Sequence, residues 1–363
     1  MKVLFLTNVP SPYRVDFFNV LGESCELTVL FEKERASDRD TNWKHKDFKN
    51  FTGVFLKGLS VSPAEAFCPS VLQYLNKGEF DVIIVGQYSS PTAMLAIEYM
   101  RLRKISYILS TDGGFVPNEE NKIKYMIKKH FISFANLYLS TSDEASKYLV
   151  YYGADESKIT KYPFSSISEK DILNHKLTKY EKNILKEKLG ITCENLIVSV
   201  GQFIHRKGYD LLIEAASKLN ADTGVYIIGG EPTAEYIKMR AEYKADNVHF
   251  VGFLNKQELS EYYKAADLFV LPTREDVWGL VVNEAMAYGL PVITTDKCLA
   301  GVEMLEEGIG YIIPSDDVEE LTKALLTVEK KTVFDVDKVL DKAKEYTIES
   351  MVRKHLEILK KIL

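Results

Sequence analysis

The sequence predicts an α/β protein with two doubly wound parallel sheets. Short apolar runs alternate with helix-spaced segments along both halves of the chain, and this alternation is interrupted once, around Pro163. Strands that are separated by helices usually pair in parallel, with helices on both faces of the sheet. A length of 363 residues also suits about two domains. Because ligands of such sheets bind beyond the carboxyl ends of the strands, we expect the two domains to face a central cleft.

The N-terminal domain is predicted to span residues 1–165. Its predicted strands are Val3–Leu6, Leu27–Phe31, Val82–Val85, Ser106–Leu109 and Leu137–Leu139. Helical spacing of apolar residues occurs in Tyr13–Leu21, Ala64–Leu75, Pro91–Arg103 and Lys122–Phe134.

Residues 166–190 are predicted to be a linker and a first helix, because Asp171–Leu189 is charged and has few apolar anchors. A second domain is predicted over residues 191–345. Its strands are Leu196–Val200, Val225–Ile228, His249–Val251, Leu268–Leu271 and Pro291–Thr294. Its helices are Tyr209–Leu219, Thr233–Lys244, Gln257–Ala265 and Asn283–Tyr288. Residues 346–363 form a last predicted helix, with one apolar stripe made of Val352, Leu356, Leu359 and Leu363.

Composition excludes several classes of protein. The net charge of -6 and the pI near 5.7 argue against a nucleic-acid partner bound through a basic surface. The four cysteines lack metal-like spacing, which favours reduced thiols and no structural metal. The apolar run after Met1 is broken by Pro10 and Pro12, and no apolar run is long enough for a membrane span. We therefore expect a cytoplasmic protein whose membrane contact, if any, is peripheral.

Two acids flank the predicted loop between strand Leu268–Leu271 and the next helix. Seven residues lie between Asp276 and Glu284, and they include the apolar residues that begin at Trp278. A loop that enters a helix offers backbone N–H groups and a positive dipole end to an anion. Ionised carboxylates accept hydrogen bonds from neighbouring hydroxyls. A nucleotide-sugar carries both phosphate and hydroxyls, although acids at a helix start also serve simply as dipole partners.

A second loop carries two cations. The strand Leu196–Val200 leads into Gly201, and Arg206 and Lys207 precede Gly208 at the start of the next helix. Cations and a helix N-terminus stabilise the negative charge of a leaving diphosphate. Arg206 binds such a group through a planar fork and Lys207 as a point charge. The alternative is a solvated Arg-Lys pair.

These two loops resemble the donor site of the retaining GT-B glycosyltransferases, specifically glycosyltransferase family 4 (group 1). The sequence around the acid pair, Trp278-Gly-Leu-Val-Val-Asn-Glu-Ala-Met-Ala, is similar to the family over its whole length. Three positions depart from the family: Asp276 replaces the usual Glu, Gln202 the frequent Arg, and Thr111 the frequent His.

The resemblance implies a GT-B fold of two Rossmann-like domains, with the terminal helix 346–363 packing back on the first domain. Asp276, Arg206 and Lys207 would be the catalytic residues, and Glu284 would accept hydrogen bonds from the ribose hydroxyls. Further donor contacts are implied for Gly201, Gly229, Phe253, Leu254, Trp278, Gly279 and Leu280. Glu303 lies in a further loop of the family, or is a surface acid.

Acceptor-side residues are predicted in the first domain, in loops that follow its strands. Pro12, Tyr13 and Arg14 follow the first strand, and Arg14 would meet donor phosphates or an acidic acceptor, or be an exposed helix-start residue. Tyr88 would line the acceptor pocket. Asp112 would orient an acceptor hydroxyl or simply start a turn.

The segment Lys122–Phe134 has two interpretations. It contains four lysines and no acids, and Ile123, Ile127, Phe131 and Phe134 form an apolar stripe. Such a helix binds an anionic membrane surface, or it faces the core and exposes its lysines to water.

The resemblance predicts a retaining, metal-independent hexosyltransferase without a cofactor. It would move a hexose or N-acetylhexosamine from a UDP- or GDP-linked donor to a glycan or lipid-linked acceptor, in bacterial surface-polysaccharide synthesis. Three alternatives remain: a GT-B sugar-nucleotide epimerase, a glycan phosphorylase with pyridoxal phosphate, and a non-catalytic nucleotide-sugar-binding partner of a polysaccharide assembly.

Overall fold

The computed structural model describes residues 1–36, 47–76, 78–330 and 334–362. They form two compact units, one made of Met1–Ser166 and Thr347–Leu363, the other of Ile167–Tyr346. Among the described residues, none of the helices combines the length and the apolar character that crossing a membrane requires.

The first unit contains a parallel sheet in the order β3-β2-β1-β6-β7-β8-β9, with a separate antiparallel pair β4-β5. The strands are β1 Lys2–Thr7, β2 Glu26–Phe31, β3 Thr52–Phe55, β4 Leu59–Ser60, β5 Ala66–Phe67, β6 Val82–Val85, β7 Ile108–Ser110, β8 Leu137–Ser140 and β9 Ile159–Lys161. The first four helices are α1 Pro12–Leu21, α2 Pro91–Arg103, α3 Lys122–Ile132 and α4 Asp143–Tyr151. The order reverses between β1 and β6, which is where ligands of doubly wound sheets bind.

The predicted helix Ala64–Leu75 is wrong. This segment contains β5 and then a short 3₁₀ helix, Pro69–Tyr74. The residue before a proline avoids helical backbone, and Cys68 accordingly has φ -121° and ψ 85°, outside the helical region. Its N–H donates to Thr92 Oγ1 at 2.9 Å, so a contact distant in sequence replaces the helical hydrogen bond.

The second unit contains a parallel sheet in the order β12-β11-β10-β13-β14-β15. Its strands are β10 Asn195–Val200, β11 Thr223–Ile228, β12 Val248–Val251, β13 Leu268–Leu271, β14 Val292–Thr295 and β15 Gly310–Ile313. Its helices are α5 Lys179–Lys188, α6 Tyr209–Ala216, α7 Ala234–Glu242, α8 Lys256–Ala265, α9 Leu280–Ala287, α10 Leu299–Met304, α11 Val318–Lys330 and α12 Val336–Glu345. The order reverses between β10 and β13, so the loops after these two strands border the expected ligand crevice.

The last helix, α13 Ile348–Ile362, belongs to the first unit, where it packs on α1. Its buried face includes Val352, His355 and Leu359. The His355 ring lies 4.9 Å from that of Phe17 in α1. Of the predicted apolar stripe, Leu363 lies outside the described residues.

Candidate functional site

The two loops at the strand-order reversal of the second unit are held together by close backbone contacts. Gly201 N–H donates to Ile228 O at 2.9 Å, and a Cβ on Gly229 would lie only 2.0 Å from Gly201 O. Gly208 has φ +69°, and a Cβ there would lie 2.0 Å from Pro272 O. Such distances exclude side chains, so glycine allows the loop after β10 to approach both β11 and the loop after β13.

The centre of the candidate site is an ion pair between these loops. Lys207 Nζ lies 2.6 Å from Asp276 Oδ2, with only 11% and 14% of the two side chains exposed. Arg206 Nη1 donates to Glu275 O at 2.5 Å and lies 3.8 Å from Asp276 Oδ1. With 43% of its side chain exposed, the Arg206 guanidinium remains accessible to a ligand. The structure therefore brings together all three residues that were predicted to be catalytic.

A third cation, Arg274, fixes the two loops relative to each other. Arg274 donates to both carboxylate oxygens of Asp210, at 2.8 and 2.6 Å, and to His205 O at 2.7 Å. Burial would raise the pKa of Asp210, but hydrogen bonding and the charge of Arg274 outweigh it and lower the pKa. Arg274 N–H also donates to Arg206 O at 2.8 Å, which fixes the backbone beside the ion pair. Arg274 was not predicted as a site residue, although a cation within the loop after β13 was a visible signal.

The backbone of Asp276 is tied to the segment after β14. Asp276 N–H donates to Lys297 O at 2.8 Å, and Asp276 forms a parallel bridge with Cys298. Burial, with the nearby Asp276 charge, raises the pKa of the Cys298 thiol to about 11. This thiol is therefore protonated at neutral pH, which makes it a packing group rather than a nucleophile.

Trp278 anchors the start of α9. The side chain is buried, and its Nε1–H donates to Asn283 Oδ1 at 2.7 Å. Ala300 N–H donates to Trp278 O at 2.7 Å. The next two residues, Gly279 and Leu280, are the N-cap and the first residue of α9. The helix thus begins before the predicted Asn283, and these two residues contribute to its N-terminal end, which attracts anions.

Glu284 is half-buried in α9, where Tyr263 Oη donates to its Oε2 at 3.2 Å. Burial, reinforced by the Glu284 carboxylate, raises the pKa of Tyr263 well above its usual value. The phenol therefore remains a neutral donor that orients this carboxylate.

Phe253 and Leu254 follow β12, and Phe253 is exposed. They lie two strands from β10 in the sheet order.

In the first unit, Arg14 is buried, paired with Asp112, and about 6 Å from the rings of Tyr13 and Phe164. The alternative prediction of an exposed residue at the helix start is therefore wrong, because the charge is paired inside an aromatic cluster. Contact of Arg14 with phosphates or an acidic acceptor stays a prediction. Pro12 begins α1 directly before these residues.

The other predicted acceptor residue, Tyr88, belongs to a separate cluster in which its hydroxyl pairs with that of Tyr148. Glu32, a buried acid directly after β2, was not predicted as a site residue. Its carboxylate accepts from Gln87 Nε2 at 3.0 Å and from Ala66 N–H at 3.0 Å. Burial raises the pKa of Glu32. The signal for Glu32 in the sequence was an acid directly after a buried strand.

No cluster of three or more potential metal-ligating His, Cys, Asp or Glu residues occurs among the described residues.

Residues 181–349 match the family model for glycosyl transferases group 1. Among curated relatives, the lipopolysaccharide core biosynthesis mannosyltransferase LpsB of Rhizobium meliloti (strain 1021) is 32% identical over 160 residues, which cover 40% of this chain and 44% of LpsB. The lipopolysaccharide glucosyltransferase WaaG of Escherichia coli (strain K12) is 31% identical over 175 residues, 46% of this chain and 43% of WaaG. The matches thus span less than half the length of either relative.

Solved structures resemble the chain over its whole length. Anabaena HepE in complex with UDP aligns with a TM-score of 0.78 at 15% identity, covering 99% of this chain and 100% of HepE. At this identity the likeness shows the fold alone. The predicted GT-B fold is therefore confirmed, and residues 181–349 are similar to the group 1 glycosyl transferases.

Proposed function

We propose that the chain is a retaining, metal-independent glycosyltransferase. It moves a hexose or N-acetylhexosamine from a UDP- or GDP-linked donor to an acceptor hydroxyl, without a cofactor. The observation that carries the proposal is the Lys207–Asp276 ion pair with Arg206 beside it, at the strand-order reversal of a domain similar to the group 1 glycosyl transferases. The names of LpsB and WaaG support a role in lipopolysaccharide-type synthesis. The proposed acceptor is a glycan or a lipid-linked glycan, and the proposed location is the cytoplasm.

The two cations bind the leaving diphosphate. Arg206 and Lys207 carry two positive charges and Asp276 one negative charge, so a single positive charge remains at the centre of the site. A diphosphate carries more negative charge than this, and the N-terminal end of α9 supplies further positive potential. Preorganised positive groups stabilise the charge that develops on the leaving oxygen as the glycosidic bond breaks.

The same ion pair argues against Asp276 as a covalent nucleophile. Its Oδ2 is bound by Lys207 at 2.6 Å, which stabilises the negative charge and weakens its attack on carbon. In the proposed reaction, the bond from the anomeric carbon to the phosphate oxygen breaks and the acceptor oxygen bonds to that carbon from the same face. The acceptor proton passes to the departing phosphate. Asp276 accepts hydrogen bonds from sugar hydroxyls, and Glu284 from the ribose.

Thermal unfolding with nucleotides tests the donor site. UDP, GDP and their sugars are added to the wild type and to Glu284→Ala. One nucleotide at about 100 times its Kd should stabilise the wild type by about 2.7 kcal/mol, which raises the melting temperature. The variant should lose this shift, because ribose contacts are missing. Glu320→Ala, which removes a more exposed acid on α11 of the same unit, serves as the matched control and should keep it.

The outcomes separate the proposal from its alternatives. No shift with any nucleotide would contradict a donor site. A shift without release of free nucleotide, with any acceptor tried, would favour a non-catalytic binding partner. Conversion of the donor sugar in the absence of acceptor would identify an epimerase. An anomeric configuration inverted relative to the donor would contradict retention.

A further inference from the structure

The outer face of α3 exposes large apolar side chains. Ile123 and Met126 are each 68% exposed, and Ile127 and Phe134 are also exposed. Ile123, Met126 and Ile127 recur at helical spacing, so they form one apolar stripe on α3, and Phe134 follows the end of that helix. Within α3 only Ile132 is fully buried. Of the predicted stripe, Phe131 packs against the core while Ile123, Ile127 and Phe134 are exposed, so the interpretation of Lys122–Phe134 as a core-facing helix is wrong at those three positions.

The apolar stripe lies among exposed lysines of α3, and further exposed cations lie at the end of α2. Lys122, Lys124 and Lys129 of α3 are exposed, as are Arg103 and Lys104 at the end of α2. Leu102, which directly precedes Arg103 and Lys104 in the sequence, is also exposed. The surface is therefore larger than the sequence segment suggested, because the end of α2 adds an apolar side chain and further positive charge.

Not every lysine of α3 faces outward. Lys128 Nζ lies 2.7 Å from Glu120 Oε1 and 3.1 Å from Tyr152 Oη. Its charge is thus compensated within the unit by the largely buried Glu120 carboxylate. The outward charge of α3 comes from the other three lysines.

Contacts between α2 and the end of α3 hold this surface in a fixed shape. The Arg101 guanidinium lies 4.8 Å from the centre of the Phe134 ring. Glu98 accepts from Arg101 at 2.5 Å and lies 3.0 Å from His130 Nε2. The acid on this side is therefore paired, so it adds no uncompensated negative charge to the surface.

We propose that this two-helix surface, formed by residues 101–104, 122–129 and 134, docks on a membrane that contains anionic lipids. Charge complementarity selects the occupant: the apolar stripe inserts at the boundary between headgroups and acyl chains, while the bordering Lys and Arg contact anionic headgroups. A groove on another protein would bury the apolar stripe equally well. Such a groove would not have to present a continuous anionic surface, whereas the exposed cations favour a partner that does. The inference goes beyond sugar transfer and does not depend on the donor site.

Vesicle co-sedimentation of the full chain tests this inference. Vesicles of phosphatidylglycerol and phosphatidylcholine should bind the protein at least about tenfold more tightly than pure phosphatidylcholine vesicles, and 0.5 M NaCl should remove most of that difference by screening. The double variant Ile123→Ser/Met126→Ser should weaken binding about tenfold or more. Lys122→Glu/Lys124→Glu should abolish the preference for anionic lipid.

Two matched variants of the second unit serve as controls. Ile237→Ser removes an exposed isoleucine of α7, and Lys238→Glu reverses an adjacent exposed charge, so both should bind vesicles like the wild type. All variants should keep the nucleotide-induced melting shift, which shows that they fold and separates this test from that of the donor site. The inference is overturned if the wild type ignores anionic vesicles, or if the α3 variants bind them unchanged. A different result would assign the surface to a second copy of the chain. In that case the wild type is a dimer, Ile123→Ser/Met126→Ser is a monomer, and neither protein binds vesicles.

Discussion

Replacing Lys207 by methionine is expected to cost about 3 kcal/mol of the unfolding free energy of the second unit and to remove nucleotide binding. The change leaves Asp276 in a largely buried position without its partner at 2.6 Å. Breaking a buried pair costs about 3–5 kcal/mol because the remaining charge is uncompensated. The lower value applies here, since Arg206 lies 3.8 Å from the other carboxylate oxygen and offsets part of the loss.

Arg206→Ala is the contrasting variant. Its guanidinium is 43% exposed, so stability should change by less than about 0.5 kcal/mol. Nucleotide affinity should nevertheless fall, because this is the accessible cation. The two variants therefore separate a residue that both stabilises and binds from one that mainly binds.

Urea unfolding followed by the fluorescence of Trp278 measures these effects. The side chain is buried within the second unit, and a Trp43→Phe background removes the other of the two tryptophans. The double variant Lys207→Met/Asp276→Asn should recover much of the lost stability, because no unpaired charge remains. A Lys207→Met protein as stable as the wild type would show that the ion pair contributes nothing in solution.

The central strands were predictable because their sequences are continuous apolar runs. Strands such as β6 Val82–Val85 and β13 Leu268–Leu271 are buried along their whole length, which a parallel sheet covered on both faces requires. The edge strands β3 and β9 were missed. Neither contains a fully buried residue, so their composition is mixed and carries little periodic signal.

The donor-side residues could be located because strand ends of a parallel sheet converge. The sequence predicted that Arg206, Lys207 and Asp276 would act together, and the structure places them within one network. Their pairing was not predictable, because it depends on loop geometry set by Arg274 and by close glycine contacts. From the motif alone, a solvated Arg-Lys pair remained an open alternative.

Arg14 shows why the first unit was harder to predict. Its place after β1 suggested exposure, and a basic residue at a helix start is usually exposed. Its partner Asp112 is 98 residues away in sequence, and the aromatic cluster around it includes Phe164. No local pattern joins these residues, so only the folded unit shows that the cation is internal.

Acidification should detach or destabilise α13 through His355, with a loss of about 3 kcal/mol by pH 4. The ring is buried between Phe17 and Tyr162, at 4.9 and 4.6 Å between ring centres. Burial is the main cause that lowers its pKa from 6.5 to about 4; the bond to Met351 O partly opposes this shift, and the positive charge of Arg14 contributes to it.

The sign follows from the two pKa values. Above pH 6.5 the histidine is neutral in both the folded and the unfolded state, so it contributes no pH dependence. Between pH 6.5 and about 4 the unfolded chain binds a proton that the folded protein does not. Stability therefore falls through this window, by about 1.4 kcal/mol for each unit of pKa difference. Below the folded pKa the loss levels off.

Urea unfolding followed by circular dichroism at pH 7.5, 5.5 and 4.0 measures this loss for the wild type and for His355→Gln, which stays neutral throughout. Other carboxylates destabilise both proteins alike as the pH falls, so the prediction concerns the difference between them. That difference should change by about 3 kcal/mol in favour of the variant between pH 7.5 and 4.0. His130→Gln, at a half-exposed histidine of the same unit, is the matched control and should track the wild type more closely. If the unfolding free energies of the wild type and His355→Gln fell in parallel with pH, the buried ring would not be held neutral. The aromatic cluster around Arg14 would then open to water before His355 titrates.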